Sequence, residues 1–240
     1  MELKNIDKKA SETKIANNQS PSFLTEMKDW ICESAIFAWQ YIWNPGTLGT
    51  PFICSPFVAK EILKYIDSNE NDPPRHYLEV GAGTGAMTRY LIKKLRPIDQ
   101  LRVVEMNEKL CDILKRKFGQ LPNVTIHHQA IQDWVPPTSD KFDAIITTVP
   151  LNSLPSADAI KSIFNAYLNL IKPKGVISSV EYAGISTVCK ICFFGESKRQ
   201  FNQIFALKNE FFKKYSFERP IVMLNIPPAT RVTHSRISCS

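Results

Sequence analysis

The stretch YLEVGAGTG, residues 77–85, is the most informative part of the sequence, because three glycines follow directly behind an apolar run. Gly81, Gly83 and Gly85 stand at alternate positions, and a segment with helical periodicity comes next. A strand, a glycine turn and a helix form the nucleotide-binding corner of open α/β sheets, where a Cβ would hold the backbone away from the ligand. The stretch therefore predicts a site for an adenosine-containing cofactor.

Outward from this turn, β patterns and helical patterns alternate along the chain. Such alternation predicts βαβ units and a parallel sheet. A helix at 56–66 precedes the sheet, and a helix at 196–215 with two β segments around a Pro-Pro turn ends it. A short helix is expected near 129–134. The predicted strands are 77–80, 101–105, 124–127, 144–148 and 175–181, and the helices between them are 86–95, 108–118 and 157–171.

Composition divides the chain into three parts. Residues 1–20 are polar and lysine-rich, which predicts a disordered tail. Residues 21–55 hold an aromatic-rich amphipathic helix, at about 22–43, and a loop. Residues 56–240 form the α/β domain. The fold class is thus α/β, with a mostly parallel sheet, a terminal antiparallel β pair and N-terminal helices.

The formal net charge of +7 indicates an anionic partner, either a nucleic acid or a lipid surface. Six scattered cysteines are typical of reduced thiols in a cytosolic protein. Cys189 and Cys192 have metal-ligand spacing, but no second pair or nearby histidine completes a site, so we predict no metal. No apolar run approaches the roughly 20 residues of a membrane span, and no secretory signal begins the chain.

Two acids flank the glycine turn, Glu79 in the first strand and Glu105 at the end of the second. A carboxylate in the position of Glu105 accepts ribose hydroxyls from NAD and from S-adenosylmethionine alike. Three features favour S-adenosylmethionine. Glu79 needs polar partners inside an apolar strand, no second βαβαβ half is present, and a polar loop, TTVPLNSLP at 147–155, follows the fourth strand.

These residues together resemble the class I S-adenosylmethionine-dependent methyltransferases, with their Rossmann-like sheet, over about 56–240. The resemblance implies that the glycine turn binds the methionine part of the cofactor and that Glu105 and Met106 hold the ribose and the adenine edge. It places either Gln129 or Asp133 at the adenine amine. The implied cofactor-binding residues are Glu79, Gly81, Ala82, Gly83, Gly85, Glu105, Met106 and Gln129.

The loop after the fourth strand indicates the methyl acceptor. Enzymes that methylate the adenine amine, including the ribosomal RNA dimethyltransferases, usually show Asn or Asp, a proline and then an aromatic residue. Here Thr148, Val149, Pro150 and Leu151 offer neither the amide nor the ring. The loop instead resembles that of bacterial phospholipid N-methyltransferases, as do the segments at 37–63 and 224–232. The missing amide and ring argue against nucleic acid as the substrate.

The resulting prediction is a methyltransferase acting on a phospholipid amine headgroup, that of phosphatidylethanolamine, as a cytoplasmic protein at the inner membrane surface. At least one of the helices at 22–43 and 196–215 is expected to contact the membrane. Two alternatives stay open, an rRNA adenine N6-dimethyltransferase and a non-catalytic cofactor-binding adaptor. The predicted acceptor-site residues are Thr147, Val149 and Pro150, through the carbonyls and shape of the loop, with the phenols of Tyr41 and Tyr182.

Overall fold

The computed structural model describes residues 54–66, 69–137, 141–182, 195–225 and 230–237. Its sheet has eight strands in the order β3-β2-β1-β4-β5-β8-β6, and β7 pairs with β8. The strands β1 to β5 run parallel, whereas β8 is antiparallel to β5, β6 and β7. The predicted fold class is confirmed. The strands are His76–Val80 (β1), Gln100–Glu105 (β2), Val124–His128 (β3), Phe142–Thr147 (β4), Ile171–Tyr182 (β5), Ser216–Glu218 (β6), Ile221–Val222 (β7) and Thr230–Arg236 (β8).

Local sequence signals start the helices. Ser55 accepts the Val58 amide at 3.2 Å and is followed by a proline, so α1 begins there. Asn107 and Ser156 cap two further helices in the same way. The helices are Pro56–Ile62 (α1), Thr88–Ile92 (α2), Glu108–Phe118 (α3), Ala157–Leu170 (α4) and Gly195–Tyr215 (α5).

Both faces of the sheet are covered, as the near-continuous apolar strands require. One core lies under α1, α2 and α3 and includes Tyr77 of β1, and Glu79 points to the same face of the sheet. The other core contains Leu78 itself and lies under α4 and α5. The glycine turn after β1 therefore stands at the carboxyl edge of the sheet, between two packed layers.

Several predicted elements differ from the structure. The segment at 129–134 forms only a turn, the fourth strand ends at Thr147 rather than 148, the helix predicted at 86–95 is shorter, at Thr88–Ile92, and the fifth strand is longer, at Ile171–Tyr182. A further strand, β6, pairs with β8. The predicted tail at 1–20, the helix at 22–43, the Cys189 to Cys192 pair and the Pro-Pro turn lie outside the described residues.

The apolar stripe of α5, one of the two expected membrane contacts, is buried within the protein. It packs on α4, where the rings of Phe211 and Phe164 stack with their centroids 3.9 Å apart. Lys208, one of the lysines of this helix, is only 2% exposed. Among the described residues, no helix is long and apolar enough to cross a bilayer. The buried members of the stripe are Phe201, Ile204, Phe211 and Phe212.

Candidate functional site

The three glycines of the turn all adopt positive φ, at 73°, 60° and 88° for Gly81, Gly83 and Gly85. A Cβ on Gly81 would stand 2.9 Å from the Val149 side chain, and one on Gly85 would stand 2.4 Å from the Phe118 ring. No described atom lies within 4 Å of the corresponding position on Gly83. A side chain at Gly81 or Gly85 would therefore clash with its neighbours, whereas Gly83 faces an open side of the turn.

Glu105 joins the turn to the beginning of α3. One carboxylate oxygen accepts the Gly83 amide at 3.0 Å, and the other accepts the Asn107 amide at 3.0 Å. The side chain is buried, yet each carboxylate oxygen has a further lone pair. Glu105 is thus held at the carboxyl end of β2 in a position that suits hydroxyl donors of a ribose.

Glu79 is fully buried beneath the turn. Neither carboxyl oxygen makes a hydrogen bond to a described residue. Burial raises its pKa to about 8, the Thr88 hydroxyl lowers it in part without meeting hydrogen-bond geometry, and the Glu105 charge raises it further. The folded protein therefore favours the neutral carboxyl at pH 7 when no cation is near.

Glu79→Gln should flatten the pH dependence of stability. The unfolded carboxyl loses its proton near pH 4.5 and the folded one near 8, so the folded state binds more protons in between. The contribution of Glu79 to the free energy of unfolding is fully present below pH 4.5. It falls as the pH rises towards 8, by at most about 1.4 kcal/mol per pH unit. Urea unfolding at pH 5, 6 and 7 measures the slope. The exposed Glu108→Gln should keep the wild-type slope, and an unchanged slope in Glu79→Gln would refute the assignment.

The loop after β4 is tied to the glycine turn. Thr148 donates its hydroxyl to the Gly81 carbonyl at 2.6 Å. Thr147 is buried, where its hydroxyl bonds to the Tyr167 phenol at 2.7 Å and accepts the Val149 amide at 3.3 Å. The threonine hydroxyls therefore shape the loop, and Pro150 within it is exposed.

The residues predicted at the adenine edge lie together. Met106 directly follows Glu105 and is 72% exposed. The Gln129 amide donates to the Glu105 carbonyl at 3.1 Å, and the His128 ring contacts the Met106 carbonyl at 3.1 Å. Gln129 and Asp133 are both exposed, so the choice between them for the adenine amine stays a prediction.

The remaining predicted site residues are Ala82 and the two tyrosines, Tyr41 and Tyr182. Ala82 is buried within the turn, where its carbonyl accepts the Gly85 amide at 3.0 Å. Tyr182 ends β5 opposite Thr230, and its side chain lies outside the described part of the structure, as does all of Tyr41. The structure thus brings the glycine turn, both acids and the loop together, while the two phenols remain predictions.

Sequence reasoning missed two contact groups near this edge. Lys208 of α5 donates to the Asn152 side chain at 2.6 Å and to Glu181 at 2.7 Å, which ties α5 to the loop after β4 and to the end of β5. The Ser55 amide donates to Asn225 at 3.0 Å across 170 residues of sequence. Only the place of Lys208 within the apolar stripe of α5 signals its burial.

Comparison with known proteins identifies the relatives of this arrangement. The family profile "Ribosomal RNA adenine dimethylase" matches residues 46–214. The chain is 31% identical over 106 residues to "Ribosomal RNA small subunit methyltransferase A" of Coxiella burnetii, covering 43% of this chain and 39% of that protein. The protein of the same name from Borreliella afzelii is 27% identical over 138 residues, covering 58% and 45%. The matches thus span less than half the length of these relatives.

The fold is also shared with solved methyltransferases. The O-methyltransferase TomG from Streptomyces achromogenes, solved in complex with S-adenosylmethionine, superposes with a TM-score of 0.58 over 100% of both chains at 12% identity. At this identity the likeness shows the fold. The predicted class, an S-adenosylmethionine-dependent methyltransferase, is confirmed.

The predicted acceptor and partner need correction. A lipid headgroup substrate and the exclusion of nucleic acid are wrong, because the matching family and curated relatives are ribosomal RNA enzymes. The error came from giving the four residues at 148–151 more weight than the rest of the domain. The resemblance to phospholipid N-methyltransferases finds no support in these matches. With 46–214 matched from the segment before α1 to the end of α5, the chain belongs to the ribosomal RNA adenine dimethylase family.

Proposed function

We propose that this protein transfers methyl groups from S-adenosylmethionine to the exocyclic amine of adenine in ribosomal RNA. The match to the ribosomal RNA adenine dimethylase family carries the proposal, since it includes the glycine turn, both acids and the loop after β4. The curated relatives bear the name of a ribosomal RNA methyltransferase.

The residues of the site fit S-adenosylmethionine. Glu79 offers a buried carboxyl without a hydrogen-bond partner in the described structure, which suits a cationic group nearby. Glu105 offers two fixed acceptors for ribose hydroxyls, and Gly83 faces an open side of the turn. The cofactor supplies an electrophilic methyl group on a positively charged sulfur.

The chain's own task is to hold the acceptor amine in line with that methyl group. An adenine amine is uncharged at pH 7, so positioning dominates and the nitrogen needs no prior deprotonation. The loop after β4 is suited to this task, because Thr148 anchors it to the Gly81 carbonyl and Pro150 contributes a carbonyl with no N–H. Backbone carbonyls there can accept the amine hydrogens.

The loop departs from the usual pattern of the family, and the structure explains part of the departure. Thr148 stands where the side-chain amide is expected, and its hydroxyl is used in the bond to Gly81. Leu151 stands where the aromatic ring is expected, and it is buried against the core under α4 and α5. We infer that backbone acceptors replace the amide and that another residue stacks on the base.

The surface charge supports an RNA substrate. The chain has a formal net charge of +7, and α5 exposes basic residues at both ends. Contacts of lysine and arginine with phosphates dominate the affinity for nucleic acids and weaken as salt is added. The exposed basic residues of α5 are Lys198, Arg199, Lys213 and Lys214.

A methyl-transfer assay with labelled S-adenosylmethionine tests the proposal. Small-subunit ribosomal RNA that lacks adenine methylation should take up label as N6-methylated adenine, and Glu105→Ala should lose most of this activity because the ribose site is damaged. Glu108→Ala, an exposed change in the adjacent turn, should match the wild type. Label found in phosphatidylethanolamine vesicles and not in RNA, or in neither, would overturn the proposed substrate.

A further inference from the structure

Two carboxylates and one imidazole meet between α1 and the antiparallel strands, outside the site described above. Glu61 lies in α1, Glu218 ends β6 and His234 lies in β8. One oxygen of each glutamate and one ring nitrogen of the histidine all lie within 4.8 Å of one another. Three elements that are distant in sequence therefore direct potential metal ligands at one point.

His234 is held in a defined orientation. Its side chain is 0% exposed, and Nδ1 lies 2.8 Å from the Ser178 hydroxyl. The other nitrogen, Nε2, lies 3.7 Å from the Glu61 carboxylate, which is too far for a hydrogen bond. Nε2 and Glu61 Oε1 are both buried, and neither has a hydrogen-bond partner among the described residues. Buried polar atoms without a hydrogen-bond partner need an explanation, and an ion lying between these two atoms would provide one.

The carboxylates already hold one cation. The Lys64 ammonium lies 2.6 Å from Glu218 Oε1 and 3.6 Å from Glu61 Oε1. The Tyr65 hydroxyl donates to the other oxygen of Glu218. Because the Lys64 side chain is 44% exposed, it can turn into solvent and leave the carboxylates to another cation.

We propose that Glu61, Glu218 and His234 bind a divalent transition-metal ion of the Zn²⁺ type. Bonds of about 2.1 Å in a tetrahedral site place ligand atoms roughly 3.4 Å apart. Glu61 and His234, 3.7 Å apart, need to close by about 0.3 Å, and the Glu218 oxygen, within 4.8 Å of both, needs to close by at most about 1.4 Å. A mixed nitrogen and oxygen set suits Zn²⁺ better than Mg²⁺, which prefers oxygen ligands alone. Ser178 on the far ring nitrogen is the kind of orienting contact that metal-bound histidines have.

Such an ion would join α1 to β6 and β8, and it would act independently of the proposed methyl transfer. It would displace Lys64, so the ammonium and the metal compete for the same carboxylates. Binding to the folded state alone stabilises a protein in proportion to the logarithm of the ligand concentration. A metal here therefore raises the melting temperature without entering the reaction.

Calorimetric titration of the untagged, metal-free full chain with ZnCl₂ tests this proposal. We expect one equivalent to bind at this site, a weakening of at least about tenfold in Glu61→Gln, and tighter binding in Lys64→Met because the competing ammonium is gone. MgCl₂ should give no comparable binding. Co²⁺ should show the visible absorption of a nitrogen and oxygen site, which His234→Ala removes.

Two controls separate this site from other sources of zinc affinity. Glu70→Gln, a change of an exposed acid near α1, and the paired Cys189→Ser and Cys192→Ser should both bind as the wild type does. Absence of binding, equal affinity in Glu61→Gln, or loss of binding in the cysteine variant would each overturn the proposal. Glu61→Gln decides the matter even if His234→Ala fails to fold, since Glu61 is only partly buried.

Discussion

Lys208→Met should lower the free energy of unfolding by about 3 kcal/mol, the lower end of the cost of breaking a buried ion pair. The ammonium is almost fully buried and bridges Glu181 at 2.7 Å and the Asn152 side chain at 2.6 Å. Methionine fills the stem volume but leaves both oxygens without their donor. Arg219 and Arg231 still contact Glu181, at 3.2 and 3.5 Å, which keeps the loss from being larger.

Urea unfolding of matched variants measures this effect. Lys214→Met removes an exposed lysine from the same helix and should change stability by less than about 0.5 kcal/mol. Combined with Glu181→Gln, the Lys208→Met change should cost less than the sum of the two single changes, because each single change strands the other partner. Equal costs for Lys208→Met and Lys214→Met would show that the buried pair contributes nothing.

Lys208 also shows why part of the site escaped prediction from the sequence. Its position continues the apolar stripe of α5, but a lysine in a helix is usually solvated, so the sequence alone predicts an exposed side chain. The partner that reverses this choice, Glu181, lies 27 residues away at the end of β5. The hydrophobic periodicity and the composition of a segment describe one helix or strand at a time. They do not reveal which charged side chain of another element will lie against it.

The sheet was predictable for the opposite reason. Each of β1, β2, β4 and β5 is an apolar run followed by a turn or helix signal, and alternation of the two patterns permits few topologies. The glycine turn and Glu105 follow from position within that topology. The additional strand β6 was missed because three residues, Ser216–Glu218, carry no pattern until β8 pairs with them.

The methyl acceptor was mispredicted because four loop residues were taken to report the ligand directly. Thr148 and Leu151 indeed lack the groups that contact a base in most of the family. The structure shows that the Thr148 hydroxyl and the Leu151 side chain are used inside the protein, to anchor the loop and to fill the core. A loop whose side chains serve packing says little about the ligand that its backbone contacts.

Alanine substitutions at Gly83 and Gly85 should separate cofactor binding from folding. Both glycines have positive φ, which costs a residue with a Cβ about 1 to 2 kcal/mol. At Gly85 the new carbon would also stand 2.4 Å from the Phe118 ring and 3.2 Å from Leu114, and overpacking adds about 1 to 3 kcal/mol. At Gly83 no described atom is close, so in the ligand-free protein the substitution costs only the free energy of the positive φ.

For cofactor binding, Gly83→Ala should have the larger effect of the two substitutions. The Gly83 amide donates to Glu105, the predicted ribose-binding residue, and no described atom lies within 4 Å of a Cβ on Gly83. A Cβ there would take space that the cofactor is expected to fill and should weaken S-adenosylhomocysteine binding by more than about tenfold. Gly85→Ala should lose less affinity but about 3 kcal/mol of stability in total. Urea unfolding and calorimetry on both variants give the comparison. If Gly83→Ala bound the cofactor product as the wild type does, the ligand could not approach the open side of this turn, and the assignment of the whole site would fall with it.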